Sequence, residues 1–309
     1  MSVSYRRPVA LLLAAASPLV LAADPAADKP DKPDAQDVVT VKAERQHYRS
    51  LFATGATKTD ALLMDLPQSV RVLTGDLLRD AGVTTLAGAL DLASGIAKQS
   101  PLGGLWDGYN GMRDGGNTQT VEVLKGPASA LYGRGEPGGT VNITTKKPKF
   151  APEYSADLSF GSFQMRRAAV DLTGPVSGTV AYRLNAAHEE GHSFRDTLKV
   201  ERSLFSPSFL WLLGEHTSVS YEIEAVQQRA PFDRGVVAVN GKLGAVPVSR
   251  FLGEPGDGPM TVKSLGQQLF IHHALSDDWT LQAGASYRDS ELKGFSTEAN
   301  KLLADGRSL

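Results

Sequence analysis

The chain has 309 residues, 41% of them hydrophobic and 21% charged, so it can build a packed structure and is not disordered throughout. Thirty-two Lys and Arg stand against 34 Asp and Glu, and this balance of −2 gives no general basic field for nucleic acid. With no cysteine, disulfide scaffolds, thiol nucleophiles and cysteine-based metal sites are excluded.

The N-terminus reads as an export signal. Arg6-Arg7 precedes the apolar run Val9 to Ala23, which ends in small residues. That run contains Pro18 and is shorter than the ~20 residues of a membrane-spanning helix. Residues 1–22 are the signal, with cleavage after Ala22 (Ala23 is the alternative), and no later helical span follows. Residues 23–36, rich in proline and charge, form a disordered linker. In residues 37–43, Asp37-Val38-Val39-Thr40-Val41-Lys42-Ala43, four of seven are β-branched. Two readings stand for this segment: a strand offered to a partner's sheet edge, or the first strand of the next domain.

Residues 60–149 read as a small α/β domain. Leu66 to Leu73 is a strand entered through Pro67, and Thr74 to Asp80 carries helix-start chemistry. Leu86, Ala89, Leu90 and Ala93 share one helix face, closed by Ser94-Gly95. Thr120 to Lys125 alternates as a strand, stopped by Gly126-Pro127; Ala128 to Gly133 makes one helical turn; Gly138 to Lys146 is a second β-rich run. Gly133 to Gly138 also satisfies G-x-G-x-x-G. A helical turn precedes it and a strand follows it, the reverse of a dinucleotide site, so these are turn glycines.

From Glu153 onward apolar and polar residues alternate. Seven strands are predicted, at 153–160, 167–173, 180–189, 202–213, 218–224, 267–275 and 279–287. A soluble sandwich also alternates. The densely charged polar face and the alternation of short with long connections favour a transmembrane barrel with a wet lumen. Phe160, Tyr182, Trp211, Trp279 and Tyr287 are candidate interface aromatics, or ordinary strand residues. His272 and His273 fall on opposite faces of a strand and cannot share a metal.

Val121-Glu122-Val123-Leu124-Lys125-Gly126-Pro127-Ala128-Ser129-Ala130-Leu131-Tyr132-Gly133, continuing through Arg134, Gly138 and Gly139 to Pro148, resembles the plug signature of TonB-dependent ferric-siderophore receptors of the outer membrane. Leu66 to Val70 is similar to the plug's opening strand, and Asp37, Val38, Val39, Thr40 and Val41 to the TonB box. The resemblance implies a small α/β plug followed by an antiparallel transmembrane β-barrel, 150–309 being its N-terminal part. It implies energy-coupled uptake of ferric siderophores, with the TonB protein, the chelate and outer-membrane lipid as partners. It implies no catalysis and no resident cofactor, iron arriving only inside its chelator. Glu122, Lys125 and Arg134 are candidate latches between plug and barrel, and Trp106 and Tyr109 candidate ligand contacts near the plug apex.

Two features depart from that family. The stretch 96–113 is too short for the family's Ile-Arg-Gly strand and the loop after it, so the plug is expected to be shortened there. Seven strands also fall short of the ~22 of a plugged transporter barrel, so the chain is expected to be a fragment or truncated copy that does not transport alone. Vitamin B12 or a carbohydrate as cargo, and a secreted, soluble, β-rich interaction protein, are the competing readings.

Overall fold

The computed structural model describes residues 48–53, 55, 61–96, 113–126, 132, 138–239, 241–276 and 278–297. The signal, the linker, Asp37 to Val41, Trp106, Tyr109, Pro127, Gly133 and Arg134 lie outside these residues.

A two-rung antiparallel ladder joins β1 (Phe52–Ala53) to β2 (Ala61–Leu62). The plug sheet has the order β3 (Ser69–Thr74), β4 (Thr118–Lys125), β5 (Gly139–Thr145), all antiparallel. Between β3 and β4 come α1 (Gly75–Asp80) and α2 (Leu86–Asp91). Each helix begins where the sequence predicts. The Thr74 hydroxyl accepts from the Leu77 N–H and the Thr85 hydroxyl from the Gly88 N–H, filling donors that a helix N-terminus leaves open. Leu78, Ala89 and Ala93 pack with Leu73, Val121 and Val123 into the plug core.

The central strand β4 is buried on both faces, so Val121, Glu122, Val123 and Leu124 lack the apolar/polar contrast of a half-exposed strand. Gly139, at φ +150°, opens β5 where a Cβ would stand 2.4 Å from the Leu124 carbonyl oxygen, so only glycine fits.

Seven strands then form an antiparallel meander in sequence order: β6 (Glu153–Phe160), β7 (Arg166–Ser177), β8 (Val180–His192), β9 (Lys199–Leu213), β10 (Thr217–Ala230), β11 (Met260–Ala274) and β12 (Thr280–Lys293). All seven predicted strands are present, and several run further. β10 extends past Glu224 and β11 begins before Gln267, because the polarity of the two faces inverts there. Val226 and Val262 are buried inside while Gln227 and Lys263 are exposed outside. The connections at 178–179, 214–216 and 275–279 share one end; those at 161–165, 193–198 and 231–259 share the other.

The two faces differ in chemistry. Arg167, Asp171, Arg183, Asn185, Arg202, Ser206, Glu222 and Glu224 point toward the plug. Leu158, Val170, Phe205, Phe209, Leu265, Leu269 and Leu281 lie exposed on the other face. Register places His272 opposite Ser218 and His273 opposite Thr217, so the two rings take opposite faces. The Phe209 and Trp211 rings stack at 5.7 Å toward the short-turn end, where Tyr182 faces Phe209 across the ladder.

Candidate functional site

The seam between plug and sheet is polar and buried. Its centre is Asp114, 1% exposed, which opens the Asp-Gly-Gly-Asn turn before β4. The turn is tied to α2's N-terminal approach: the Gly115 N–H donates to the Thr84 carbonyl at 2.9 Å, and Asp114 bridges to Thr85. Gly116 donates its N–H to Asp114 Oδ1 at 2.8 Å. A Cβ on Gly116 would meet Leu204 Cδ2 at 2.9 Å, so the turn lies directly against the sheet wall.

Two arginines of the wall converge on Asp114. Arg167 donates to both its oxygens, at 2.6 and 2.8 Å, and Arg202 Nε to Oδ2 at 2.9 Å. Glu189 bridges the pair, accepting from Arg167 at 3.2 Å and Arg202 at 2.7 Å. Arg202 also donates to the Thr84 hydroxyl at 2.8 Å. Two cations and two carboxylates therefore close a neutral ring across the seam. Burial pushes the Asp114 carboxyl up, but the bonds from Arg167, the charge of Arg202 and the Gly116 N–H outweigh it and hold the group below the usual carboxylate range.

Two further anchors flank the ring. On one side Glu224 pairs with Arg113 and accepts from Asn117 Nδ2 at 2.8 Å; the same amide reaches the Ser206 hydroxyl at 3.1 Å. On the other, Thr145 donates to Glu222 at 2.7 Å, Lys146 pairs with Asp171 at 2.9 Å, and Arg183 joins Asp171 to the Lys147 carbonyl at 2.9 Å. Oriented to satisfy its neighbours, the Asn185 amide donates to Asp171 and to the Gly116 carbonyl, both at 3.1 Å. Ala169, Ala187, Leu204 and Val226 give the wall a small apolar centre.

The sequence candidates are placed differently. Glu122 is 3% exposed and accepts from the Gly55 N–H at 2.6 Å and Asn142 Nδ2 at 3.1 Å, both inside the plug. Lys125 pairs with Ser69 and Gly139 in the sheet and offers its carbonyl to Gln68. Tyr132 donates its hydroxyl to the Gly55 carbonyl at 2.6 Å. Gly126 turns the chain at φ +91°, and its N–H donates to the Gly138 carbonyl at 3.3 Å. The bonds that cross the seam come from residues not singled out: Arg113, Asp114, Asn117, Thr145 and Lys146 from the plug, and Arg167, Asp171, Arg183, Arg202, Glu222 and Glu224 from the wall. The signal was the charged polar face of the predicted strands. Which plug residue meets which wall residue has no sequence periodicity.

A small α/β domain bonded to the polar face of an open seven-stranded β-meander, with an apolar opposite face, is the arrangement of the plug and leading strands of a plugged transmembrane β-barrel. The TonB-dependent receptor plug domain family matches residues 106–140. The chain is 38% identical over 300 residues to the metal-pseudopaline receptor CntO of Pseudomonas aeruginosa strain UCBPP-PA14, covering 88% of this chain and 42% of that protein. It is 29% identical over 296 residues to the ferrioxamine receptor of Yersinia enterocolitica, covering 83% and 42%. The fold matches that of the siderophore receptor PiuA from Acinetobacter baumannii at a TM-score of 0.71, with 20% identity over 82% of this chain and 40% of that one. These matches support a TonB-dependent outer-membrane receptor, and the chain spans about two fifths of the length of the relatives it matches.

Proposed function

We propose that the chain serves as the plug and leading barrel strands of a receptor that imports metal ions wrapped in a small chelator, a ferric siderophore or a related metal complex. The observation that carries this reading is the polar, charge-neutral seam. A plug held by ion pairs and hydrogen bonds can shift within a wet lumen without exposing a large apolar surface, as a gated channel requires. An apolar core at the seam would make the stopper permanent. The apolar opposite face suits lipid, and a closed barrel is the form in which strands cross a bilayer without unpaired backbone.

In this reading residues 1–22 direct export and Asp37 to Val41 pair as an added strand with the TonB protein of the inner membrane. The ligand is bound and released unchanged, so the protein is a transporter and not an enzyme. The relatives' cargoes make metal–pseudopaline and ferrioxamine the first ligands to test. A full-length receptor that carries this chain as its leading part, expressed in cells lacking their own metallophore receptors, should give an outer-membrane protein and ligand-dependent accumulation of labelled metal, whereas these 309 residues alone should not. Accumulation should stop when TonB is absent. Recovery of the protein in the soluble periplasm, or uptake indifferent to TonB, would overturn the reading. Val39→Pro removes a backbone donor from the pairing segment. It should abolish accumulation while leaving ligand binding to intact cells unchanged.

A further inference from the structure

The two buried faces of β4 are covered by different parts of the chain. Val121 and Val123 lie under the helices, within the plug core. Glu122 and Leu124 take the other face, and there the segment around Gly55 lies over them. Both polar groups of Gly55 are gripped. Its N–H donates to Glu122 Oε2 at 2.6 Å, and its carbonyl accepts from the Tyr132 hydroxyl at 2.6 Å. Glu122 also holds Asn142 of β5 at 3.1 Å, so the grip is anchored on the sheet. A Cβ at Gly55 would stand 2.2 Å from Glu122 Oε2 and 3.2 Å from Leu124 Cδ1, so the fit requires glycine. Ala53, two residues earlier, is 1% exposed.

Among the described residues the remaining attachment of this segment is slight, and at the surface the Tyr48 hydroxyl donates to the Asp80 carboxylate. Beside the grip on Gly55 the β1–β2 ladder has two rungs, Phe52 with Leu62 and Ala53 with Ala61, extended by the Leu63 N–H donating to Leu51. The β3–β4 ladder behind it pairs six residues. Tension entering from the N-terminal side passes the exposed Tyr48–Asp80 bond, then Phe52, Ala53 and Gly55, before it reaches β3. The bond to the Glu122 carboxylate is charge-assisted and, unlike the one from Tyr48, buried, so it is the tie that holds the segment on the sheet.

We propose that Glu122 and Tyr132 form a clasp on Gly55, the first buried joint of the plug to yield when the N-terminal segment is drawn by a partner. Closed, the clasp keeps the plug intact at rest. Open, it strips the cover from Glu122 and Leu124 and exposes the second face of β4 to water while the β3–β4–β5 ladder still stands. The proposal rests on the reading of Asp37 to Val41 as the pulled segment.

The chain contains no cysteine, so one introduced thiol reports cleanly. Ala53→Cys places it beside the clasp at a buried position. Labelling by a small maleimide is followed in cells that are energised with TonB and ligand, and in cells treated with a protonophore. The parent Ala53→Cys protein should label slowly at rest and faster when energised. Adding Glu122→Ala should raise resting labelling about tenfold or more, as loss of a bond to a buried charged group implies. Tyr132→Phe, which removes one hydroxyl and leaves the ring in place, should raise it about threefold. Glu122→Gln keeps an acceptor oxygen for Gly55 but loses the charge, so its resting labelling should fall between the parent and Glu122→Ala. Adding Val39→Pro should abolish the energised increase alone. If Tyr132→Phe and Glu122→Ala label at the parent's resting rate while Val39→Pro behaves as described, the clasp is overturned and the pulled-segment reading survives. If Val39→Pro leaves the energised increase intact, the pulled-segment reading is the one that fails.

Discussion

Replacing Asp114 by asparagine keeps its size and removes the charge on which Arg167 and Arg202 converge. Glu189 alone then faces two buried guanidinium groups, and breaking a buried ion-pair set in this way costs about 3–5 kcal/mol. Asp114→Asn should therefore loosen the plug, seen as faster protease cleavage in outer-membrane preparations, with the strands still heat-resistant. The wild-type seam should also respond to acid. The folded Asp114 lies below its unfolded value of roughly 3.9, so its stabilisation is complete above about pH 4 and is lost as pH falls through the depressed folded value. Plug protection should hold from neutral pH to about pH 4 and decline below it, and the Asp114→Asn protein should show a smaller decline. An acid profile unchanged by that substitution would remove Asp114 from the seam's titration. Locally the sequence shows Asp114 only as an aspartate followed by two glycines. Its two arginine partners lie 53 and 88 residues away, at distances no local pattern encodes.

At the scale of elements, the short helices and plug strands were legible because their signals are local. Thr74 and Thr85 cap their helices, and Gly126 and Gly139 end and begin strands at backbone angles that favour glycine. Thr85→Ala should cost about 1 kcal/mol through the lost cap. A urea titration of plug protection in outer-membrane preparations measures it. Strand ends in the meander were less legible. Alternation of apolar and polar residues locates a strand only while one face is greasy and the other wet. At the ends of β10 and β11 near the long loops, Val226 and Val262 turn inward and Lys263 outward, so the rule that located the lower strand misses the upper part.

Across the whole molecule the meander should behave as a wall between two media. Leu269 lies exposed on the apolar face and Gln268, its neighbour, on the plug side opposite Glu222. Leu269→Arg should impair outer-membrane assembly, since an arginine near the bilayer midplane costs roughly 2–4 kcal/mol, falling toward the interface. Gln268→Arg, one residue away, should assemble at near-normal levels, because its side chain enters the wet interior. Quantifying heat-modifiable protein in outer-membrane fractions compares the two, and equal assembly would contradict the assignment of faces. By itself the sequence determined the order of parts, the small α/β domain, the seven strands, their two-faced character and the family resemblance. These rest on near-neighbour chemistry: caps, turn glycines, two-residue alternation and one continuous signature. Only the tertiary structure decided that the ring of Asp114, Arg167, Glu189 and Arg202 closes the seam and that Glu122 turns inward to hold Gly55. Both depend on side chains brought together from distant strands, where burial removes water and leaves each charge to be satisfied by whatever the fold places beside it.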